Sequence, residues 1–244
     1  MTIEDATYAV VDSETGGLDP ATCDLLEIGI VLCDAFGNLK DTFETLVMPT
    51  KPIPPENSAI HGLIEEDFVG APSRLEAIIA ATSFVPPGAV LVGHNASFDK
   101  GFLPEFSDDW CCSKRLAMHV YPDAPAWKNQ VLRYYLGVNN NVNLMGKDPH
   151  RAIADCMVTA KVFARCLLAY FCDFGSPEDD VSELIEFANA PVELKRMAFG
   201  KETGKEFEEI DHGYLEWILK QSGMDSDVLY TARRELVRRG RLAA

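Results

Sequence analysis

Short apolar runs and turn-forming residues alternate along the first part of the chain. Residues 8–12 form an apolar run that ends in an acid, which predicts a central strand. Residues 25–33 and 41–48 are rich in β-forming side chains, and the turn-like segment 34–38 separates them. They predict a strand that continues into a β-hairpin. Residues 90–92 are uniformly apolar and predict a further, buried strand.

Apolar residues at helical spacing dominate the remaining segments. The helix predicted over 73–84 has Ser73 as its N-cap and Glu76 three residues later, which is the pattern of a capping box. The clearest helix runs from about residue 151 to residue 171 and has one continuous apolar face. Further helices are predicted over 96–106, 129–136, 181–190, 214–221 and 227–239, with a loop at 139–141.

The order of these elements favours an α/β fold with a mixed sheet, because strands come first and helices interleaved with strands follow. Residues 173–180 contain glycine, serine and proline and indicate a linker near residue 175. We therefore predict a first domain over residues 1–174 and a small C-terminal α+β module over residues 181–244. In that module, residues 197–210 form a β-like stretch punctuated by glycines.

The composition indicates a folded protein without a membrane segment. The chain has 244 residues, of which 47% are hydrophobic, and this is enough for a sizeable core. It has no run of about 18 apolar residues, and its acidic beginning lacks the pattern of a signal peptide. We therefore expect a soluble, cytoplasmic protein that does not associate with membranes.

The cysteines indicate a reducing compartment. No two of them have C-x-x-C spacing and their number is odd, so neither a zinc site nor a disulfide framework is expected. Buried thiols fit the pattern better. The seven residues are Cys23, Cys33, Cys111, Cys112, Cys156, Cys166 and Cys172.

The net charge of −16 at pH 7 argues at first against a nucleic-acid partner. Residues 192–244 contain ten basic and ten acidic residues, so residues 1–191, with 12 basic and 28 acidic residues, hold the whole excess. Part of this charge would suit a site for divalent ions, because bound cations restore positive charge where a phosphate lies. The sequence gives no physical reason for the other acids.

Asp12 and Glu14 stand two residues apart at the end of the first predicted strand. Side chains alternate along a strand, so both carboxylates point to the same face. Two crowded carboxylates repel each other unless a cation lies between them. Acids at strand ends are also common without any such role, so this pair alone does not establish a metal site.

Asp99 and Asp155 lie on two predicted helices. Asn95 holds the N-cap position of the first helix, and Asp99 follows one turn later on the same side. An acid favoured by the helix dipole would explain Asp99 equally well. Asp155 shares an apolar stripe with Val158 and Val162, where burial is costly without a partner. The alternative is a partly exposed acid at the edge of that stripe.

His150 precedes Asp155 by five residues. If Asp148 caps the long helix and Pro149 is its first residue, His150 and Asp155 lie about 140° apart around the axis. They can then share a site only if His150 belongs to the preceding loop or swings over the helix start. We therefore predict a mobile His150, although the residue alone is also compatible with a plain surface histidine.

Together, these motifs resemble the DEDDh type of the DnaQ-like exonuclease family. They are D-x-E at residues 12–14, N-x-x-F-D at residues 95–99 and H-x-x-x-x-D at residues 150–155. The neighbouring segments T-G-G-L at residues 15–18 and I-H-G-L at residues 60–63 are similar to the family as well. The resemblance implies a ribonuclease H-like fold, in which helices flank a five-stranded mixed sheet.

The family resemblance also implies two Mg²⁺ or Mn²⁺ ions. Asp12 would bridge both ions, Glu14 and Asp155 would bind them directly, and Asp99 would bind directly or through water. His150 would be the general base. The residue types suit this chemistry, because Mg²⁺ prefers oxygen ligands and paired ions stabilise both oxygens of an in-line displacement at phosphorus. An imidazole can accept the proton of the attacking water near neutral pH.

Substrate-binding positions follow from the same resemblance. Glycines would let the backbone approach the terminal sugar, and a leucine would pack on the last base. The histidine of the I-H-G-L segment would lie near the scissile phosphate. An ordinary strand-to-loop turn and a helix-end histidine are the alternatives. The positions are Thr15, Gly16, Gly17, Leu18, His61 and Asn95.

The C-terminal module carries two further candidate surfaces. Five arginines recur at helical spacing and could contact phosphates, although a solvated basic helix is the favoured interpretation. The stripe of Tyr214, Trp217 and Ile218 is interpreted as core rather than as a platform for bases. The arginines are Arg233, Arg234, Arg238, Arg239 and Arg241.

The expected activity is 3′→5′ exonucleolytic hydrolysis of DNA, with single strands favoured, to nucleoside 5′-monophosphates. The acidic charge keeps an exoribonuclease or an oligonucleotidase with the same site as the alternative, because a short strand meets less repulsion. A binding module with an inactive site and a small-molecule phosphoesterase are more distant alternatives. The first of these is disfavoured because all five catalytic positions are filled.

Overall fold

The computed structural model describes residues 1–139, 144 and 150–243. Five strands of this described chain form one mixed sheet in the order β3-β2-β1-β4-β5. The first three strands along the chain pair antiparallel, whereas β4 pairs parallel with β1 and β5 pairs parallel with β4. The strands are β1 (Tyr8–Thr15), β2 (Leu25–Cys33), β3 (Leu39–Leu46), β4 (Val90–Gly93) and β5 (Trp110–Cys112).

Helices connect the later strands of the sheet and continue after the last strand. Their bounds are α1 (Pro55–His61), α2 (Arg74–Phe84), α3 (Ala96–Phe102), α4 (Ser113–Val120), α5 (Asn129–Tyr135), α6 (Ala152–Asp173), α7 (Val181–Asn189), α8 (His212–Ile218) and α9 (Ser226–Arg238). The predicted capping box of α2 is present, with Ser73 and Glu76 bonded reciprocally. The helix predicted over 96–106 ends earlier, at Phe102, because Pro104 lies two residues beyond and cannot donate a backbone hydrogen bond.

Helices cover both faces of the sheet. Ala9 and Val11 of β1 pack in one cluster with Ala77 of α2, whereas the ring of Tyr8 contacts Phe163 of α6 at 5.0 Å. Because neighbouring residues of a strand point to opposite faces, these contacts place α2 and α6 on opposite sides. The predicted α/β fold with a five-stranded mixed sheet flanked by helices is confirmed.

The start of α6 lies directly on β2. A Cβ atom added to Gly29 would lie 2.5 Å from the carbonyl carbon of Ala152 and 2.5 Å from the nitrogen of Ile153. Only glycine permits this approach without displacing backbone. The position of the first turn of α6, and therefore of Asp155, is tied to β2.

The chain divides into two compact units, one comprising residues 1–120 and 124–189 and the other comprising residues 121–123 and 190–244. The predicted boundary near residue 175 is therefore too early, because α7 packs on α4 and β5 of the first unit. The segment before α7 also bonds to the N-terminus, since Val181 N–H donates to Met1 O and Ile3 N–H donates to Asp179 O. The first unit extends to Asn189.

The second unit has its own apolar core, built largely from α8 and α9 with Met197, Phe207 and Ile210. The β-like stretch predicted over 197–210 contains no strand among the described residues. It has an isolated bridge between Arg196 and Glu206 and two short 3₁₀ turns. The physical reason is that Gly200 and Gly204, with φ of 73° and 84°, turn the backbone too tightly for a ladder.

Candidate active site

Three carboxylates meet at one end of the sheet. Asp12 and Glu14 extend from β1 toward the same side, and Asp155 extends from the first turn of α6. Each supplies an oxygen, and these oxygens all lie within 4.8 Å of one another. We call these three residues the acidic cluster. The sequence-predicted alternation along the strand and the close packing of α6 on β2 together bring them into one place.

Asp99 lies beside the acidic cluster but is bonded differently. Its side chain is buried, and its Oδ1 accepts a hydrogen bond of 2.7 Å from Ser13 Oγ, between the two acids of β1. Ser13 lies between Asp12 and Glu14 on β1, so this bond places Asp99 beside them, and the charge of Asp99 contributes to raising the pKa of Asp12. All four predicted acids therefore come together.

Burial raises the pKa of all four acids, and repulsion by neighbouring carboxylates adds to this rise for Asp12 and Glu14. Burial, followed by the charges of Asp99 and Asp155, raises the pKa of Asp12 well above its usual value. Burial and Asp155 raise the pKa of Glu14 to about 9. Burial also raises the pKa of Asp99 to about 7, although the Ser13 hydrogen bond opposes this rise. The pKa of Asp155 is likewise raised by burial.

These properties fit a divalent cation. The donor atoms are carboxylate oxygens, which hard cations such as Mg²⁺ and Mn²⁺ prefer. Four carboxylates with raised pKa values in one place lack sufficient positive charge, and a cation among them would favour their ionised forms. The residues present are therefore suited to hold divalent metal ions.

His150 lies in the segment that precedes α6. Its backbone N–H donates to Asp155 Oδ2 at 3.1 Å, and its Nδ1 lies 3.8 Å from the same oxygen. The helix begins only at Ala152, so the alternative in which His150 belongs to the preceding loop is the observed one. The helix cap predicted at Asp148 and Pro149 lies outside the described residues. The mobility of His150 stays a prediction.

Two amides of α5 orient Asp155, and sequence reasoning missed both. Gln130 Nε2 donates to Asp155 Oδ1 at 2.8 Å, and Asn129 Nδ2 donates to Asp155 O at 3.1 Å. With the backbone N–H of His150 on Oδ2, both carboxylate oxygens of Asp155 accept a hydrogen bond. Outer hydrogen bonds of this kind fix the direction in which a metal ligand points. A glutamine near the start of a short helix carries no sequence signal that it bonds a distant aspartate.

Glu27 was also missed, although it borders the site. Its side chain is 1% exposed on β2, opposite Glu14 in the strand register. Its carboxylate accepts from Arg151 Nη2 at 2.6 Å and Nε at 3.1 Å, and from the backbone N–H of Ala152 at 3.0 Å. Glu27 thereby bonds the first backbone N–H of α6 and neutralises the adjacent arginine.

The T-G-G-L segment forms a turn next to β1. Thr15 is buried and its Oγ1 donates to Gly17 O at 2.7 Å, while Gly16 N–H donates to Asp24 O at 2.8 Å. Leu18 is 85% exposed and packs against nothing that would explain its apolar character. The turn interpretation and an end pocket are both compatible with this shape, and a substrate role stays a prediction.

His61 ends α1 as a buried residue, only 4% exposed. Its Nδ1 accepts from Leu63 N–H at 3.0 Å, so the proton of the neutral ring lies on Nε2. That Nε2 has no partner within the described part of the chain. Burial lowers the pKa of His61, while nearby Glu27 opposes this effect. His61 is thus a buried imidazole with an unused N–H, and its role toward the substrate stays a prediction.

Asn95 holds the N-cap position of α3, as predicted, but its side chain does not cap the helix. It precedes the helix, but its φ of 84° and ψ of 48° are left-handed and its side chain makes no capping hydrogen bond. An N-cap side chain reaches the helix N–H groups from the β region of the backbone, and Asn95 is not in that region. Its side chain lines the cleft instead.

A cleft of about 460 Å³ opens onto part of this site. Asp12, Asp155 and His150 line one part of it, and Lys114, Trp127 and Lys128 are among its other lining residues. Apart from the glycines, Asn95 and His150 are the residues with positive φ in the described ranges, and both line this cleft.

His94 holds the Trp127 wall of the cleft. Its Nδ1 lies 2.9 Å from Ser113 Oγ and its Nε2 lies 2.9 Å from Trp127 O. Burial lowers the pKa of His94 to about 4, so the ring is neutral at physiological pH. Both ring nitrogens of His94 have hydrogen-bond partners, so His94 has a structural role. His150 is therefore the better candidate for a general base.

The fold and the acidic cluster define a nuclease of the ribonuclease H-like class. A family model described as Exonuclease matches residues 9–163, well over half of the chain, and the chain belongs to this exonuclease family. Within it, the protein is a 3′→5′ exonuclease of the DnaQ-like type.

Individual relatives agree with this assignment. Exodeoxyribonuclease 10 of Escherichia coli K12 is 28% identical over 212 residues, which cover 86% of this chain and 89% of that protein. The DNA polymerase III subunit epsilon of Treponema pallidum is 32% identical over 168 residues, which cover 66% of this chain and 76% of that protein.

Solved structures show the same fold. A structure of exonuclease X in complex with 5′ overhanging duplex DNA matches with a TM-score of 0.60 and 25% identity, covering 75% of this chain and 99% of that chain. The nuclease domain of a DEDDh family member bound to rAMP matches with a TM-score of 0.54 and 17% identity, covering 66% of this chain and 92% of that chain. No described helix is long and apolar enough to cross a membrane.

Proposed function

We propose that this exonuclease hydrolyses single-stranded DNA from its 3′ end and releases nucleoside 5′-monophosphates. The observation that carries the proposal is the acidic cluster, with its raised pKa values, in a cleft that also exposes His150 and two lysines. The exonuclease X structure was solved with DNA, which supports DNA as the substrate class.

Asp12, Glu14, Asp99 and Asp155 would hold two Mg²⁺ or Mn²⁺ ions. When bound, such ions supply positive charge to the scissile phosphate and lower the pKa of water. Asp12 is the proposed bridging ligand, because its carboxylate is the one most affected by the charges of the other three. Gln130 keeps Asp155 pointed at the ions through its hydrogen bond.

His150 is the proposed general base. It would accept a proton from the attacking water, whose oxygen forms a bond to phosphorus while the bond to the 3′ oxygen of the preceding nucleotide breaks. The products are a nucleoside 5′-monophosphate and a strand shortened by one nucleotide with a free 3′ hydroxyl. Asp155 Oδ2, 3.8 Å from His150 Nδ1, would stabilise the resulting imidazolium.

The walls of the cleft would hold the strand. Lys114 and Lys128 line it and have no carboxylate partner in the described ranges, so their ammonium groups are available to phosphates. Leu18 would pack on the terminal base, with Thr15, Gly16 and Gly17 against the sugar and Asn95 on the opposite side. His61 is kept as a proposed substrate-binding residue, since its Nε2–H has no protein partner in the described ranges.

The proposed location is the cytoplasm. All seven cysteines are free, and five of them are buried, which fits a reducing compartment.

The decisive test is digestion of a 5′-labelled single-stranded DNA with Mg²⁺, followed on a denaturing gel. A ladder that shortens from the 3′ end, disappears with EDTA and is absent for Asp12→Ala is the expected result. An RNA of the same sequence and a trinucleotide serve as parallel substrates. Faster degradation of the RNA would favour the exoribonuclease alternative, and faster degradation of the trinucleotide would favour the oligonucleotidase alternative. No shortening of any substrate with Mg²⁺ or with Mn²⁺ would contradict the proposal.

A further inference from the structure

An exposed aromatic stack lies on the second unit. The rings of Tyr214 and Trp217 stack with centroids 5.3 Å apart and an interplanar angle of 19°. Lys201 Nζ lies 4.6 Å from the centroid of the Tyr214 ring. We call these three residues the Trp217 stack. None of them belongs to the acidic cluster or to the cleft that surrounds it.

The stack lies only partly on the core of the second unit, because Tyr214 packs against that core whereas Trp217 is not part of this packing. Leu215 and Ile218 of α8 are fully buried, whereas Trp217 is 47% exposed. The stripe of Tyr214, Trp217 and Ile218, interpreted from sequence as core, is therefore split between an inner and an outer part. Phe199, which is 40% exposed, adds a second open ring to the unit. Large aromatic side chains with open faces are typical of binding surfaces.

The loop before α8 is shaped to place Lys201. Gly200 has a φ of 73°, and a Cβ atom there would lie 3.2 Å from Tyr214 Oη. Thr203 Oγ1 donates to Gly200 O at 2.6 Å and closes the turn. Since a side chain at position 200 would be strained and crowded, the glycine permits the turn that sets the lysine over the tyrosine ring. The backbone turn therefore brings Lys201 beside the tyrosine ring.

The charge on this unit suits an anionic ligand better than the rest of the chain does. The second unit has ten basic and eleven acidic residues, one of which is Asp123, and therefore a net charge of −1, while the first unit holds the other −15. Lys201 has no carboxylate partner in the described ranges, and its contact with Tyr214 leaves its N–H groups available. A polyanion therefore meets less repulsion at this unit.

The α9 arginines are a weaker candidate for the same ligand. Arg234 and Arg238 pair with Glu193, and Arg238 also pairs with Glu235. Arg239 donates to the carbonyl oxygens of three residues of the same unit and to Glu235. These groups hold the unit together, which favours the predicted alternative of a structural, solvated helix over a phosphate-binding series.

We propose that the Trp217 stack binds single-stranded DNA, with a base on the open face of Trp217 and a phosphate on Lys201. A flat ring beside a fixed ammonium group matches the two recurring parts of a nucleotide, and stacking accepts any base. The choice of DNA as the strand rests on the proposed function. The binding itself does not require hydrolysis.

The test measures binding without turnover. The full chain is titrated in EDTA with a fluorescein-labelled oligo(dT) of about 20 nucleotides, and anisotropy gives Kd. Trp217→Ala is expected to raise Kd about five-fold or more, which is the lower end for loss of one stacked base. Trp217→Phe should largely restore binding, because it keeps a ring. Phe36→Ala, which removes an exposed ring from the first unit, is the matched control and should leave Kd unchanged.

Salt dependence tests the phosphate contact separately. Lys201→Ala should make the slope of log Kd against log salt shallower by about 0.7, the value for one phosphate on a single strand. Unchanged Kd in Trp217→Ala, or equal weakening in the Phe36 control, would overturn the proposal. A change in oligomeric state of Trp217→Ala with unchanged DNA binding would overturn it in favour of a contact between copies. Failure of the exonuclease proposal would instead appear as absent hydrolysis by the unmodified protein, whatever its Kd.

Discussion

At the scale of single residues, the shifted pKa values of Glu14 and Asp99 determine how stability depends on pH. The pKa of Glu14 is raised to about 9 and that of Asp99 to about 7, in each case first by burial. A carboxyl whose pKa is raised on folding binds protons more tightly in the folded state. Its contribution to stability is therefore present below the unfolded pKa near 4 and is lost as pH rises through the folded value.

The upward direction of these two pKa shifts predicts how metal ions affect the stability of the fold. Between about pH 5 and pH 9 the metal-free protein loses stability from these acids, and a bound divalent cation removes the cause by balancing their charge. The rise in Tm on adding Mg²⁺ should therefore be larger at about pH 8.5 than at about pH 5.5. Differential scanning fluorimetry with EDTA references measures it, and Asp12→Asn should reduce the gain. An equal gain at both pH values would argue against the metal assignment.

His150→Ala isolates the proposed base from the proposed ligands. Its side chain is mainly exposed and lies outside the acidic cluster, so its loss should lower kcat roughly 10²–10⁴-fold, as for a general base, and leave metal binding intact. Single-turnover kinetics gives the rate, and the Mg²⁺-dependent rise in Tm reports the metal. If the variant also lost that rise in Tm, His150 would have to be a ligand.

At the scale of elements, the start of α6 decides the geometry of the site. Glu27 bonds Arg151 and the first N–H of the helix, while Gly29 allows the helix to touch β2. Asp155 follows within one turn. A small tilt of this helix end would separate Asp155 from Asp12 without unfolding anything else.

Glu27→Gln tests Glu27 as a positioning residue. The amide keeps the size of the side chain but weakens its bonds to Arg151, so activity or metal affinity should fall about 10–100-fold, as for other outer residues of metal sites. The Mg²⁺ concentration for half-maximal rate should rise, which a loss of stability alone would not cause. Glu76→Gln, in the exposed capping box of α2, is the control. Equal behaviour of the two variants would assign Glu27 a purely structural role.

The same element shows how far the sequence could lead. The common direction of Asp12 and Glu14 was predictable because the alternation of side chains along a strand is local. The capping box of α2 was predictable because Ser73 and Glu76 are only three positions apart. The Glu27–Arg151 pair joins residues 124 apart, and the Gln130–Asp155 bond joins residues 25 apart. No periodicity marks such pairs, since they depend on how α5 and α6 pack on the sheet. The failed cap at Asn95 depended on its backbone conformation, which the residue type leaves open.

At the scale of the whole molecule, the two compact units differ in charge and in architecture. The first contains the sheet, the acidic cluster and α7, and the second contains a separate helical core. Where the first unit ends therefore matters for any experiment that uses it alone.

Truncation tests the boundary after Asn189. A chain of residues 1–189 keeps Val181 and Leu184 buried against the first unit, whereas a chain of residues 1–174 loses them and exposes their partners. The shorter chain should be less stable by roughly 3–6 kcal/mol, from the burial of two large aliphatic side chains. Urea unfolding followed by circular dichroism measures the difference. Equal stability of both chains would restore the boundary near residue 175.

The left-handed backbone at Asn95 and His150 has a consequence for the natural selection of this sequence. An L-residue with a side chain costs about 1 kcal/mol or more in that conformation, and glycine would avoid the cost. His150→Gly would therefore be expected to strengthen the fold while removing the proposed base. Stability and activity oppose each other at these two positions. Selection for thermal stability alone would therefore act first against two residues that line the cleft.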